Sequence, residues 1–131
     1  MADDGRYLMT PTVLVVDDIG MMRSIIRETL EGEGIHVAAE AANGREALQL
    51  YAKLRPNLVL MDITMPVMNG IEALRRIRAL DPKAKIIMCS SMSQQRYIVK
   101  SIQLGARDFI VKPFKKHRII SSVKKAAYGD T

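Results

Sequence analysis

The stretch Leu58-Val-Leu-Met-Asp62-Ile-Thr64-Met-Pro66-Val-Met-Asn69-Gly70 decides how this chain is read. Its four leading apolar residues have the composition of a strand buried on both faces. The run stops on Asp62, a turn containing Pro66 follows, and Asn69 has the chemistry to cap a new helix. An ionised carboxylate at the end of a dry strand is costly unless something nearby compensates it. The flanking sequence must therefore supply a partner for Asp62.

Similar apolar runs lie on either side. Residues 13–16 end in Asp17-Asp18, residues 86–89 end in Ser90-Ser91, and residues 109–111 end in Lys112-Pro113. Residues 35–40 alternate and carry polar groups, as an edge strand would. Helical spacing fills the gaps. Met22, Ile25, Ile26 and Leu30 form one apolar stripe, stopped by Gly32 and Gly34. Asn43, with Glu46 three residues on, opens a second helix whose stripe is Ala47, Leu50, Tyr51 and Leu54. Asn69 and Glu72 repeat that start, with Leu74 and Ile77 inward as far as Asp81-Pro82. The echo between the two Asn-Gly starts needs no internal repeat, because shared capping chemistry explains it. Residues 94–104 read as a fourth helix with Tyr97, Ile98 and Ile102 on its apolar side, closed by Gly105. The last helix carries Ile119, Ile120 and Val123 inward, with Lys and Arg outside.

Five strands alternating with five helices predict an α/β fold, a doubly wound parallel sheet covered on both faces. In such a sheet the strand ends share one edge, where sites form. Asp17, Asp18, Asp62, Ser90 and Lys112 are therefore expected in one cleft. Two carboxylates ~5 Å apart repel by roughly 3 kcal/mol even at an effective dielectric near 20. One lysine offsets part of that. A hard divalent cation offsets the rest, and Mg²⁺ suits a few carboxylates together with phosphate and water.

Composition narrows the function classes. The 131 residues suit one domain. The lone Cys89 excludes an internal disulfide and fits a reducing, cytoplasmic setting. His36, His117 and Cys89 make no zinc pattern. No secretory signal or membrane-length apolar run is present. The net charge of +6 is uneven: residues 1–81 carry 9 Lys and Arg against 12 Asp and Glu, whereas residues 82–131 carry 11 against 2. A basic surface for an acidic partner fits this asymmetry. Nucleic acid does not, because no aromatic and basic reading platform accompanies the charge.

Together, Val-Asp17-Asp18, Met-Asp62-Ile-Thr64-Met-Pro66-Val-Met-Asn69-Gly70, Ser90 and Asp108-Phe109-Ile-Val-Lys112-Pro113-Phe114 resemble the receiver domain of two-component response regulators. The resemblance covers about residues 12–127. It implies a flavodoxin-like (βα)5 fold with strand order 2-1-3-4-5, as a monomeric stand-alone regulator of the CheY type spanning residues 1–131 without an output domain. By that resemblance Asp62 is the phosphoacceptor for a histidine kinase. Asp18, Asp62 and the Thr64 carbonyl would ligate Mg²⁺, with Asp17 acting through water, and Lys112 would pair with Asp62 at rest and with the phosphoryl oxygens afterwards. Ser90 and Phe109 would form the switch, Ser90 moving toward the phosphoryl group and Phe109 swinging into the vacated space. The switched face, on helix 4, strand 5 and helix 5, would carry Arg96, Lys100, Lys115, Lys116 and Lys124. An acidic partner segment, in chemotaxis the flagellar motor switch, would dock there, and a phosphatase is a possible further partner. The alternative is a phosphorelay intermediate or a regulator of a non-motility partner. Three residues depart from the common pattern: Ser90 stands where Thr is usual, Phe109 where Tyr is frequent, and Met92 where an acidic residue is frequent. The resemblance also implies a cis Lys112–Pro113 bond.

Two rival readings share parts of this pattern. A flavodoxin needs a Ser/Thr/Gly-rich phosphate loop after the first strand, and Asp17-Asp18 would repel its cofactor. An aspartate-nucleophile phosphatase usually needs a second Asp where this chain has Thr64. A Walker-type nucleotide site lacks its Gly-rich Lys-Ser/Thr loop.

Overall fold

The computed structural model describes residues 10–129. Elements alternate throughout: β1 (Thr12–Val16), α1 (Gly20–Glu31), β2 (His36–Ala41), α2 (Gly44–Leu54), β3 (Leu58–Met61), α3 (Gly70–Leu80), β4 (Ile86–Ser90), α4 (Gln95–Gln103), β5 (Asp108–Val111) and α5 (Lys116–Tyr128). The five strands pair in parallel in the order β2-β1-β3-β4-β5. The flavodoxin-like doubly wound sheet expected from the sequence is the fold observed.

Strand periodicity sorts the core into two layers. Leu14, Val16, Val59, Met61, Ile86, Met88 and Phe109 face α2, α3 and α4, burying Ala47, Tyr51, Leu74 and Ile77. Their neighbours Val13, Val15, Leu58, Leu60, Ile87, Cys89 and Ile110 face α1 and α5, against Ile26, Leu30, Ile119 and Val123. β3 is central and all four of its residues are buried, whereas β2 at the edge buries only Val37 and Ala41. The predicted apolar stripes are wider than the faces that pack. Ile25, Leu54 and Ile102 are exposed, and Ile120 is half-buried. A helix docked on a sheet buries one narrow strip, so residues on its flanks stay in water.

The Asn-Gly echo proves to be two uses of one device. Asn43 Oδ1 accepts from the Glu46 N–H at 2.9 Å, and Asn69 Oδ1 accepts from the Glu72 N–H at 2.9 Å. Both following glycines are also points of close approach. The Gly44 N–H donates to the Met68 carbonyl at 2.8 Å, and the Gly70 N–H to the Ile63 carbonyl at 2.8 Å. A Cβ on Gly44 would stand 2.5 Å from the Met68 oxygen, and one on Gly70 only 1.8 Å from the Asp62 oxygen. The start of α2 thus holds the β3–α3 loop, and the start of α3 holds the end of β3.

That loop carries backbone strain. The Met68 N–H donates to the Pro66 carbonyl at 2.7 Å, closing a three-residue turn around Val67, whose φ is 70°. A β-branched residue in this region costs about 1–3 kcal/mol, and Val67 is 74% exposed, so burial does not offset it. Val67→Gly is expected to stabilise the protein by about 1 kcal/mol, the relief being partly offset by glycine's freer unfolded state. A urea midpoint that rises at constant m-value checks this, and an unchanged or lower midpoint would refute it.

Candidate functional site

All the predicted chemical groups come to the carboxyl edge of the sheet. β1 delivers Asp17 and Asp18, β3 delivers Asp62, β4 ends on Ser90, and Lys112 follows β5. Asp17, Asp18 and Asp62 each present a carboxylate oxygen to a common point, all within 4.8 Å of one another. Asp17 and Asp62 are buried and Asp18 is exposed, so the cluster opens to solvent on one side.

Lys112 is the compensating charge. Its Nζ lies 2.5 Å from Asp17 Oδ2 and 3.2 Å from Asp62 Oδ2, with the lysine side chain only 11% exposed. Burial opposes its charge, but the hydrogen bond to Asp17 and the nearby carboxylates outweigh it and raise its pKa. The sequence pointed to Asp62 as its resting partner; the structure has it bridging both carboxylates, Asp17 more closely. Asp17 Oδ1 also accepts from the Ile19 N–H at 2.9 Å, and Asp62 Oδ1 from the Ile63 N–H at 2.7 Å. One ammonium therefore contacts two carboxylates of a cluster of three. An all-oxygen donor set with a surplus of negative charge is the chemistry of a Mg²⁺ site, and these residues fit that ion. Thr64 stands in the exposed loop two residues after Asp62.

Ser90 is fully buried, and its Oγ accepts from the Met92 N–H at 3.0 Å, tying the loop after β4 to the strand end. Phe109 is already inside the molecule at 8% exposure, in the layer that packs against α4. The ring thus occupies an inward position in this structure. Its ring lacks a hydroxyl that would favour water, so burial is the natural resting position. Lys112–Pro113 is cis. Cys89 precedes Ser90 but faces the opposite layer, and burial pushes its thiol up to about 12, leaving it inert.

The base of β5 is clamped to α5. Asp108 accepts from Arg118 Nη1 at 2.9 Å, Arg118 Nη2 at 3.1 Å and Ser122 Oγ at 2.7 Å, while Arg118 Nη2 also reaches the Phe109 carbonyl at 3.3 Å. Sequence reasoning missed this clamp; the spacing of Asp108, Arg118 and Ser122 across a strand–helix connection was its only signal. Arg118 chiefly, with Ser122, holds the Asp108 carboxyl down at about 2 against the opposing effect of burial. Because the folded pKa lies below the unfolded value of ~3.9, the clamp stabilises above that value and is lost as pH falls toward about 2. The pair is half-exposed, so after solvent screening it contributes about 1 kcal/mol. Arg118→Ala should lower stability by that amount at neutral pH, and the gap to the parent should narrow in acid to what the bond to the Phe109 carbonyl contributes. A gap of unchanged size at low pH would contradict the assignment.

The basic residues expected to share one face are divided. Arg96 and Lys100 of α4 line a groove against the start of α3. Lys115 and Lys116 stand at the start of α5, both exposed. Lys124 turns toward α1 instead, its Nζ 2.9 Å from Glu33 Oε1.

A family model of the response regulator receiver domain matches residues 13–124. The chain belongs to that family. Among known proteins, this receiver is 58% identical to Protein CcdB of Bacillus subtilis over 113 residues, covering 86% of this chain and 94% of CcdB. It is 48% identical to the chemotaxis protein CheY of Thermotoga maritima over 119 residues, covering 91% of this chain and 99% of that one. The crystal structure of the CheX–CheY–BeF3–Mg²⁺ complex of Borrelia burgdorferi superposes with a TM-score of 0.85 at 32% identity, covering 87% of each chain. The receiver is thus a CheY-like signalling protein with chemotaxis relatives. Among the described residues no helix is long and apolar enough to cross a membrane.

Proposed function

We propose that this receiver acts as a stand-alone phosphoacceptor, with Asp62 taking a phosphoryl group from the phosphohistidine of a histidine kinase. The observation that carries the reading is the meeting of Asp17, Asp18 and Asp62 within 4.8 Å beside Lys112. An Asp62 carboxylate oxygen attacks phosphorus, the P–N bond breaks, and its electron pair returns to the kinase imidazole. An ionised carboxylate needs no general base for this, so positioning and charge neutralisation are the catalytic contributions. Asp18, Asp62 and the Thr64 carbonyl would hold Mg²⁺, with Asp17 acting through water; when bound, the ion neutralises charge on the carboxylates and phosphoryl oxygens. Lys112 then transfers its hydrogen bonds to the phosphoryl oxygens. Exposed Ile19, Met21 and Val67 stand around this edge and offer the kinase an apolar seat.

The added charge attracts the Ser90 hydroxyl. Ser90 also holds the Met92 N–H, so its movement draws the β4–α4 loop along. Phe109 lies beneath α4, so its packing transmits that movement to the face formed by α4, β5 and α5. Exposed Val99, Ile102 and Val111, with Lys115 and Lys116 nearby in sequence, supply an apolar and basic docking face for an acidic segment of the flagellar motor switch. A second reading is a regulator of a partner outside motility: the relative at 58% identity, Protein CcdB, does not carry the chemotaxis name that the 48%-identical Thermotoga CheY does.

Beryllofluoride, a phosphoryl mimic, tests the site. With Mg²⁺ it should shift the amides of Asp62, Ser90 and Lys112 and then those of α4, and Asp62→Asn should abolish every shift. Metal-independent shifts, or shifts in Asp62→Asn, would refute the proposal. Binding of the loaded protein to a motor-switch peptide, weakened by Lys116→Glu, would separate the motility reading from its alternative.

A further inference from the structure

Arg96 and Lys100 do not belong with the apolar residues of α4. They stand one turn apart on the flank of the helix that faces α3, whereas Val99 and Ile102 occupy its outer surface. With Ile63, Asn69, Ile71 and Tyr97 they line a groove of about 430 Å³ between α4 and the start of α3. Ile63, Ile71 and Tyr97 give the groove apolar walls, and the two cations stand beside them.

Both cations lack a carboxylate partner among the described residues. The Arg96 guanidinium lies 4.9 Å from the Tyr97 ring centroid and donates to its hydroxyl at 3.2 Å, which orders a planar fork without neutralising it. Elsewhere Arg23, Arg27, Arg55, Arg75, Arg76, Arg118 and Lys124 all pair with carboxylates. The groove therefore combines apolar walls with uncompensated positive charge. Nucleic acid fits poorly, because one aromatic ring among aliphatic walls and two cations cannot follow a run of stacked bases and phosphates. A helix laid along the groove presents acidic side chains at i and i+4, the same separation as Arg96 and Lys100.

We propose that this groove docks an acidic amphipathic helix of a partner protein, with an apolar side chain seated on Ile63, Ile71 and Tyr97 and carboxylates on Arg96 and Lys100. It is a second contact surface, separate from the Val99, Ile102 and Val111 face used in the output reading. It needs no phosphorylation of Asp62, so its test stands apart from that reading.

The experiment is selection of random displayed peptides on the full chain, followed by amide mapping of the enriched sequences. The selected peptides should pair Leu, Ile or Phe at helical spacing with Asp or Glu one turn apart. They should shift Ile63, Ile71 and Tyr97 while leaving Val111 unmoved. The Arg96→Glu/Lys100→Glu variant should bind them at least tenfold more weakly, and Lys116→Glu should bind them as the parent does. Both substituted residues are exposed, and an unchanged circular dichroism melt of the double variant confirms that it folds. Failure to enrich acidic sequences, mapping to Val99, Ile102 and Val111, or indifference to charge reversal would overturn the proposal. So would self-association of the chain through this groove, read by sedimentation and lost in the double variant.

Discussion

Gly70→Ala is expected to cost about 3 kcal/mol and to lower the melting temperature by about 10 °C, among the largest effects of any single methyl group in this chain. A Cβ at Gly70 would lie 1.8 Å from the Asp62 carbonyl oxygen, 2.8 Å from its carbonyl carbon and 3.0 Å from Ile63 Cα. All three obstacles are backbone at the end of the central strand, so no rotamer change relieves the clash. The main chain must move, and the residue that moves is the one carrying the candidate phosphoacceptor. The variant should therefore lose Mg²⁺ affinity as well as stability. Gly20→Ala is the control, because its Cβ would meet only Arg23 Nη2 at an ordinary 3.5 Å. That variant should stay within about 0.5 kcal/mol of the parent. Equal melting temperatures for the two variants would contradict the packing account.

Lys112→Met is expected to be comparably damaging, for an electrostatic reason. The side chain is isosteric enough to fill the space, but it leaves Asp17, 1% exposed, and Asp62 without their shared cation. Breaking a buried pair in this way costs about 3–5 kcal/mol, because the remaining charges keep their desolvation penalty. Two features separate this from lost packing. Adding Asp17→Asn to Lys112→Met, which neutralises the closer and more buried partner, should restore much of the stability, a coupling that a double-mutant cycle measures. Millimolar Mg²⁺ should stabilise the lysine variant more than the parent, since the ion supplies the missing charge. Additive effects, with no differential response to Mg²⁺, would show that Lys112 matters for shape alone.

The layout of the site was legible because strands advertise themselves through apolar runs, and parallel topology brings their ends together. Asp17, Asp18, Asp62, Ser90 and Lys112 could be assigned to one edge before any coordinate was known. What stayed hidden depends on distances between separate segments. Gly44 and Gly70 look alike in sequence, yet only Gly70 lies against the Asp62 backbone. The closer contact of Lys112 with Asp17 runs against strand order, since β3 stands nearer than β1 to β5, so topology alone could not announce it. The strained turn at Val67 follows a Pro66 that suggested a turn without specifying a positive φ. Periodicity gave Ile102 an inward place, but α4 near the β5 edge leaves its flank in water. Basic residues counted along the chain suggested one face; three-dimensional placement divides them among a groove, a helix start and an ion pair with Glu33.

The central claim is that an acidic cluster holding Mg²⁺ makes Asp62 a phosphoacceptor, and intact-mass spectrometry after incubation with acetyl phosphate tests it most directly. The account predicts a mass increase of one phosphoryl group, dependent on Mg²⁺, abolished by chelator and absent from Asp62→Asn. An unmodified mass in the presence of Mg²⁺, or an increase that persists in Asp62→Asn, would contradict it.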